Sequence, residues 1–182
     1  MHIGNKNFDL ENDIVIMGIL NVTPDSFSDG GKFSSLDTSL KHVEKMISDG
    51  ADIIDLGGES TRPGHKSVDE AEEIDRVIPM IEAIRSRFDI PISIDTYKSK
   101  VGELAILAGA NLVNDVWGFK RDPKLAEVTA KHNVPCVLMH NRENQDYGNL
   151  LIDMNQDLKE SIDIALNAGV AKGNIILDPG IG

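Results

Sequence analysis

Six short apolar runs, each followed by a polar residue, limit what this chain can fold into more tightly than any other feature. They are Ile14–Leu20, Ile53–Gly57, Ile92–Asp95, Leu112–Val116, Cys136–Met139 and Ile175–Leu177. Each is too short for a buried helix and rich in branched residues, so each predicts a buried strand. Helix-period segments fill the gaps. The clearest opens with "SVDE", where Ser67 as N-cap and Glu70 three residues on make a capping box. It continues with Ile74, Val77, Ile78, Ile81 and Ile84 on one face, and Pro79 within it predicts a kink. Asp122 and Pro123 open another helix as N-cap and first helical residue. A quasi-repeat, "GADIIDLGG" and "GANLVNDVWG", supplies a helix-terminal Gly, a tight turn, a buried strand and a polar tip.

Strands alternating with helices predict a parallel sheet, either open and doubly wound or closed into a barrel. The tips decide between them. An open sheet gathers its ligand at one switch point, whereas a barrel brings every strand end to one mouth. Here Asn21, Glu59, Asp95, Asn114 with Asp115, His140 and Asp178 all follow strand cores. The expectation is a TIM (β/α)8 barrel. Such barrels need about 250 residues, and this chain has 182. The expectation is therefore about six βα units in one domain over 1–182, an incomplete barrel without its C-terminal units.

Composition narrows the function. Eighteen basic against 30 acidic residues give a net charge of −12, which argues against a nucleic-acid partner. No run approaches membrane length, and the N-terminus lacks the apolar stretch of a signal peptide. One cysteine, Cys136, allows no internal disulfide and reads as a small core residue. A cytoplasmic location fits these limits.

The tips suggest a ligand class. Asp95, Asp115, Asp178 and Glu59, with the amides Asn21 and Asn114, suit a flat heterocycle that presents adjacent N–H donors. Asp55 and Asp115 either join that site or satisfy backbone groups at strand ends. Thr61 and Arg62 in "ESTRPG" suit a phosphate, unless Arg62 only braces its loop. No Walker A or G-x-G-x-x-G sequence is present. His140 lacks nearby metal-ligand partners, and His65 reads as a solvated loop residue. Trp117 and Phe119 either wall a site or plug the barrel end. The stretch "LNVTPDSFSDGGKF" is a long turn-rich loop whose Phe27 and Phe33 suit closure over something flat.

"NVTPDSFSDGG", "DIIDLGGESTRPG", "SIDTYK", "LVNDVWG" and "IILDPGIG" resemble, in order, the motifs of the dihydropteroate synthase family. That resemblance covers about Ile14 to Gly182. It implies transfer of a 6-hydroxymethyl-7,8-dihydropterin from its diphosphate to p-aminobenzoate, giving dihydropteroate in a sulfonamide-sensitive step of folate synthesis. By motif match, Asp95, Asn114 and Asp178 would hold the pterin, and Asn21 would contact Mg²⁺ on the diphosphate. Thr61 and Arg62 would lie against the diphosphate, while Phe27, Thr61 and Pro63 would form the p-aminobenzoate pocket. Catalysis would rest on Asp95 and Arg62. The Asn21–Phe33 and Ser60–Lys66 loops would cover the reacting pair, and the family's habit implies a homodimer.

Two departures accompany the resemblance. "HNRENQDYGN" stands where many members have a Gly-Thr-Pro-like segment. A lysine, an arginine and a histidine that the family draws from later strands have no counterpart here. The alternatives are a non-catalytic pterin-binding fragment and a methyltetrahydrofolate-binding methyltransferase domain, which shares the "NDV" region but not the first two motifs.

Overall fold

A computed structural model describes residues 1–22, 31–59 and 68–181, and their side chains apart from those of 31–35. The chain opens with a small hairpin, β1 (His2–Ile3) and β2 (Lys6–Asn7). It then alternates β3 (Met17–Asn21), α1 (Gly31–Ser48), β4 (Ile53–Gly57), α2 (Glu70–Arg87), β5 (Ile92–Asp95), α3 (Ser99–Ala108), β6 (Leu112–Asp115), α4 (Lys124–His132), β7 (Cys136–Met139), α5 (Leu150–Ala168) and β8 (Ile175–Asp178). The strands β3 to β8 form one parallel sheet in sequence order. That order is the one a (β/α)8 barrel follows. Here six strands carry it, so β3 and β8 are the edges of the sheet.

Strand side chains alternate between two faces, and each face has its own core. Leu20, Ile54, Leu56, Ile92, Ile94, Val113, Cys136 and Leu138 point outward and join the main cluster with Val77, Met80, Ile81 and Ile84 of α2 and Leu125 of α4. The alternate positions line the inner face. At its lower end Ile53 and Leu112 pack with Ile3 of the hairpin, and Met17, Val137 and Phe8 lie against them. The hairpin therefore plugs the N-terminal end of the inner face. Its strands are two residues long, too short to show any periodicity in sequence.

Four details depart from the sequence reading. The first strand begins at Met17 rather than Ile14, which is 90% exposed. The helix α2 is capped by Asp69, whose carboxylate accepts from the Glu72 amide at 2.8 Å; Ser67 lies outside the described residues. α2 therefore starts at Glu70, later than Ser67 would place it, and Pro79 lies inside it as expected. Gly31 and Phe33 belong to α1 rather than to the preceding loop. The remaining strands match their expected spans to within one residue, and Gly50 and Gly109 take the left-handed φ values of 106° and 120° that helix-terminal glycines supply. α4 starts one residue later than expected, with Pro123 at the N-cap position, and Asp122 before it accepts from the Lys124 amide at 3.2 Å.

Candidate functional site

The parallel register sets Asn21 of β3, Gly57 of β4, Asp95 of β5 and Asn114 of β6 in one row across four adjacent strands. All four sit at the C-terminal end of the inner face, where a barrel keeps its active site. Gly57 is what lets the row close up. A Cβ there would stand 3.2 Å from Asn21 Oδ1 and 3.5 Å from Asp95 Oδ2. The amide and the carboxylate thus converge over a residue with no side chain. Across the mouth, Asp178 ends β8 and accepts from the Gly180 amide at 2.7 Å.

One layer lower, Asp55 and Ser93 face each other on β4 and β5. Asp55 Oδ2 accepts from the Asn114 amide nitrogen at 3.1 Å. Electrostatics follow from this crowding. Burial, reinforced by the carboxylates of Asp55, Asp115, Glu73 and Glu59, pushes Asp95 up to about 8. Burial also raises Asp55, against the opposing pull of Ser93 and Asn114. A carboxyl poised this way is neutral at pH 7 until donors arrive to favour its charged form.

Several tip residues prove to be fixtures of the fold rather than of the mouth. Asp115 points outward, is fully buried, and accepts from the backbone amides of Trp117 at 2.8 Å and Phe119 at 2.7 Å. The backbone-satisfying role holds for Asp115; its carboxyl is raised to about 6 by burial, with the two amides opposing. His140 turns away from the mouth toward α5, with Nε2 3.1 Å from Asp157 Oδ2, and Arg142 grips the same carboxylate at 2.6 Å. Phe119 belongs to the outer core, while the Arg121 guanidinium stacks 3.5 Å above the Trp117 ring at the rim.

Glu59 is bound into a cluster whose members are too far apart in sequence to be read together. Lys98, at the start of α3, donates to Glu59 at 2.6 Å, to Glu73 at 2.5 Å and to the Val68 carbonyl at 2.7 Å. Burial works against the charge on Lys98, yet the hydrogen bonds to Glu59 and Glu73 outweigh it and hold its pKa above the ordinary value. One ammonium therefore ties the residues on either side of 60–67 to the tip of β5. Phe27, Thr61, Arg62, Pro63 and His65 lie outside the described residues.

Among the described residues no group of three or more His, Cys, Asp or Glu side chains is arranged to hold a metal. Among the described residues the mouth offers a cation the amide oxygen of Asn21, with the Asp95 carboxyl beside it across Gly57. That suits an Mg²⁺ ion that arrives on a phosphate and keeps most of its waters. Among the described residues no helix is long and apolar enough to cross a membrane.

Comparison with known proteins fits this arrangement. The family model of pterin binding enzymes matches residues 17–182. The dihydropteroate synthase of Clostridium beijerinckii is 64% identical over all of this chain, which covers 68% of that protein. That of Bacillus subtilis is 62% identical over 92% of the chain, covering 59% of its own length. Among solved structures, a Clostridium difficile dihydropteroate synthase crystallised in the presence of pteroic acid superposes with a TM-score of 0.93 at 50% identity, over 97% of this chain and 67% of that one. A Yersinia pestis dihydropteroate synthase in a sulfonamide complex gives 0.88 at 43% identity, over all of this chain and 68% of that one. The chain spans about two thirds of its relatives' length, and it belongs to the pterin binding enzyme family, among the dihydropteroate synthases.

Proposed function

We propose that the chain carries the pterin side of a dihydropteroate synthase site, which joins 6-hydroxymethyl-7,8-dihydropterin diphosphate to p-aminobenzoate and releases pyrophosphate. The observation that carries this reading is the convergence of Asp95 and Asn21 over Gly57, with Asn114 beside Asp95 in register. Acceptor oxygens on the inner face of a barrel mouth match a flat ring whose edge carries N–H donors. Asp95, Asn114 and Asp178 hold that ring. A carboxylate accepting two such bonds gains roughly 1.5–3 kcal/mol from each.

Diphosphate leaves the pterin methylene carbon, the electron-rich ring carries the developing positive charge, and the neutral aromatic amine attacks. Arg62 and Thr61 take up the departing charge, and Asn21 would hold an Mg²⁺ ion accompanying the diphosphate, which would further neutralise the leaving group. Phe27, Thr61 and Pro63 place the p-aminobenzoate ring, so that the amine needs little beyond positioning. Asp95 contributes by orienting the pterin, and its protonation state answers to the ligand. The homologous enzymes act on small molecules, and a homodimer remains part of this reading only by family habit.

The test is transfer of labelled p-aminobenzoate into dihydropteroate with the pterin diphosphate and Mg²⁺ present. Product that disappears in Asp95→Ala supports the synthase. A folded sample that binds pterin but forms no product would instead support a pterin-binding module without catalysis.

A further inference from the structure

Two polar atoms on the inner face have no hydrogen-bond partner among the described residues: Oδ1 of Asp55 and Oγ of Ser93. Asp55 is 5% exposed and Ser93 fully buried. They stand opposite each other in register, one side-chain layer beneath the row that forms the mouth. Asp55 follows Ile54 and precedes Leu56, both completely buried. An acidic side chain in the middle of such a strand is expensive to bury. Its neighbours show what it does there, because its Oδ2 reaches up to the Asn114 amide nitrogen.

An asparagine amide has two ends of nearly the same shape and opposite chemistry. The carbonyl accepts and the NH₂ donates. Whichever end meets Asp55 decides which end a ligand meets. A carboxylate only accepts, so it takes the NH₂ end at 3.1 Å. The carbonyl oxygen is then the end left for the mouth, beside the carboxyl of Asp95 across the strand pair.

We infer that Asp55 is a positioning residue that sets the polarity of the Asn114 amide, so that the mouth offers acceptors to a ring edge of N–H donors and rejects a ring edge of acceptors. This rests on the pterin reading and deepens it, because it assigns the choice of heterocycle to a residue one layer beneath the mouth. Ser93 stands opposite the carboxylate across the strand pair.

The discriminating variant is Asp55→Asn, which keeps the shape but can meet Asn114 with either end. Calorimetric titration with 6-hydroxymethylpterin measures the effect in wild type, Asp55→Asn, Asn114→Ala and the double variant. Asp55→Asn is expected to weaken binding at least tenfold, and the double variant to bind within twofold of Asn114→Ala alone, since Asp55 has nothing left to orient. Its thermal midpoint should equal or exceed that of wild type, because a buried acid has been removed. Losses that add in the double variant would overturn the inference, and so would binding within twofold of wild type in Asp55→Asn. An Asp55→Asn chain that fails to fold would show the residue to be structural and overturn it equally. Wild type that binds no pterin would defeat the pterin reading and this inference together, whereas additive losses defeat this inference alone.

Discussion

Replacing Asp95 by Asn should make the chain more stable in alkaline solution while it cripples the site. The folded carboxyl sits at about 8 against an ordinary value of 3.8. Between those values the folded chain holds a proton that the unfolded chain has released. The unfolded state then binds fewer protons, so stability falls as pH rises, by up to about 1.4 kcal/mol per unit for a single group. From pH 5 to pH 8 the loss attributable to Asp95 approaches about 4 kcal/mol, and Asn has no proton to lose. Urea denaturation of both proteins at pH 5, 6, 7 and 8 isolates it as a widening gap in midpoint, about 1–2 M at pH 8 for an ordinary urea slope. The same proton couples to binding. With the carboxyl at about 8, only about a tenth of the free protein is ionised at pH 7. If the ring needs the carboxylate, 6-hydroxymethylpterin should bind up to about tenfold more tightly above pH 8 than at pH 7, and Asp95→Asn should show weak, flat binding. A stability gap that stays constant from pH 5 to pH 8 would refute the electrostatic account, whatever happened to activity.

Lys98→Met leaves Glu59 and Glu73 facing each other without their shared ammonium. Loss of one member of a buried charge cluster costs about 3 kcal/mol, read from the same urea midpoints, and a loss below about 1 kcal/mol would mean the cluster is solvated. Gly57→Ala places a methyl 3.2 Å from Asn21 Oδ1 and 3.5 Å from Asp95 Oδ2. Those side chains can give way, so thermal stability should change little while pterin affinity drops, and a variant that binds as well as wild type would remove Gly57 from the argument. Cys136 is buried, and burial aided by Asp115 pushes its thiol up to about 12. An aromatic disulfide reagent at pH 8 should leave it untouched in the native chain and label it promptly in urea; prompt labelling without urea would contradict the packing of β7.

Strand cores were legible because a five-residue apolar run has few other uses, and β4, β5 and β7 lie where their runs predicted. The facing of the tip residues was not. In "LVND" both flanks of β6 are apolar, so no alternation marks which side is which. Asn114 and Asp115 are neighbours in sequence and opposite in space. Asn114 faces the mouth, whereas Asp115 ties down the amides of Trp117 and Phe119 behind it. The same blindness applies to His140, whose partner Asp157 is 17 residues away on α5. Nothing local announces such a pairing. The hairpin at the chain start was missed for the opposite reason: its only signal is Gly4-Asn5, a two-residue turn between strands too short for any pattern.

Asp55 shows where sequence and structure each carry part of the argument. In "IIDLGG" an acid interrupts a strand that is buried at every position, and such an interruption signals that the residue is there for something other than packing. Sequence could go no further than a choice between ligand contact and backbone pairing. The structure adds a third contact. The carboxylate pairs with a side chain one layer above, and that side chain, Asn114, is the one whose two ends a heterocycle would tell apart. A strand tip can be decorated with acceptors by many sequences. Holding an amide in one of its two orientations needs a second polar residue beneath it, buried where water cannot compete, and the cost of burying an acid at Asp55 is the physical sign of that demand.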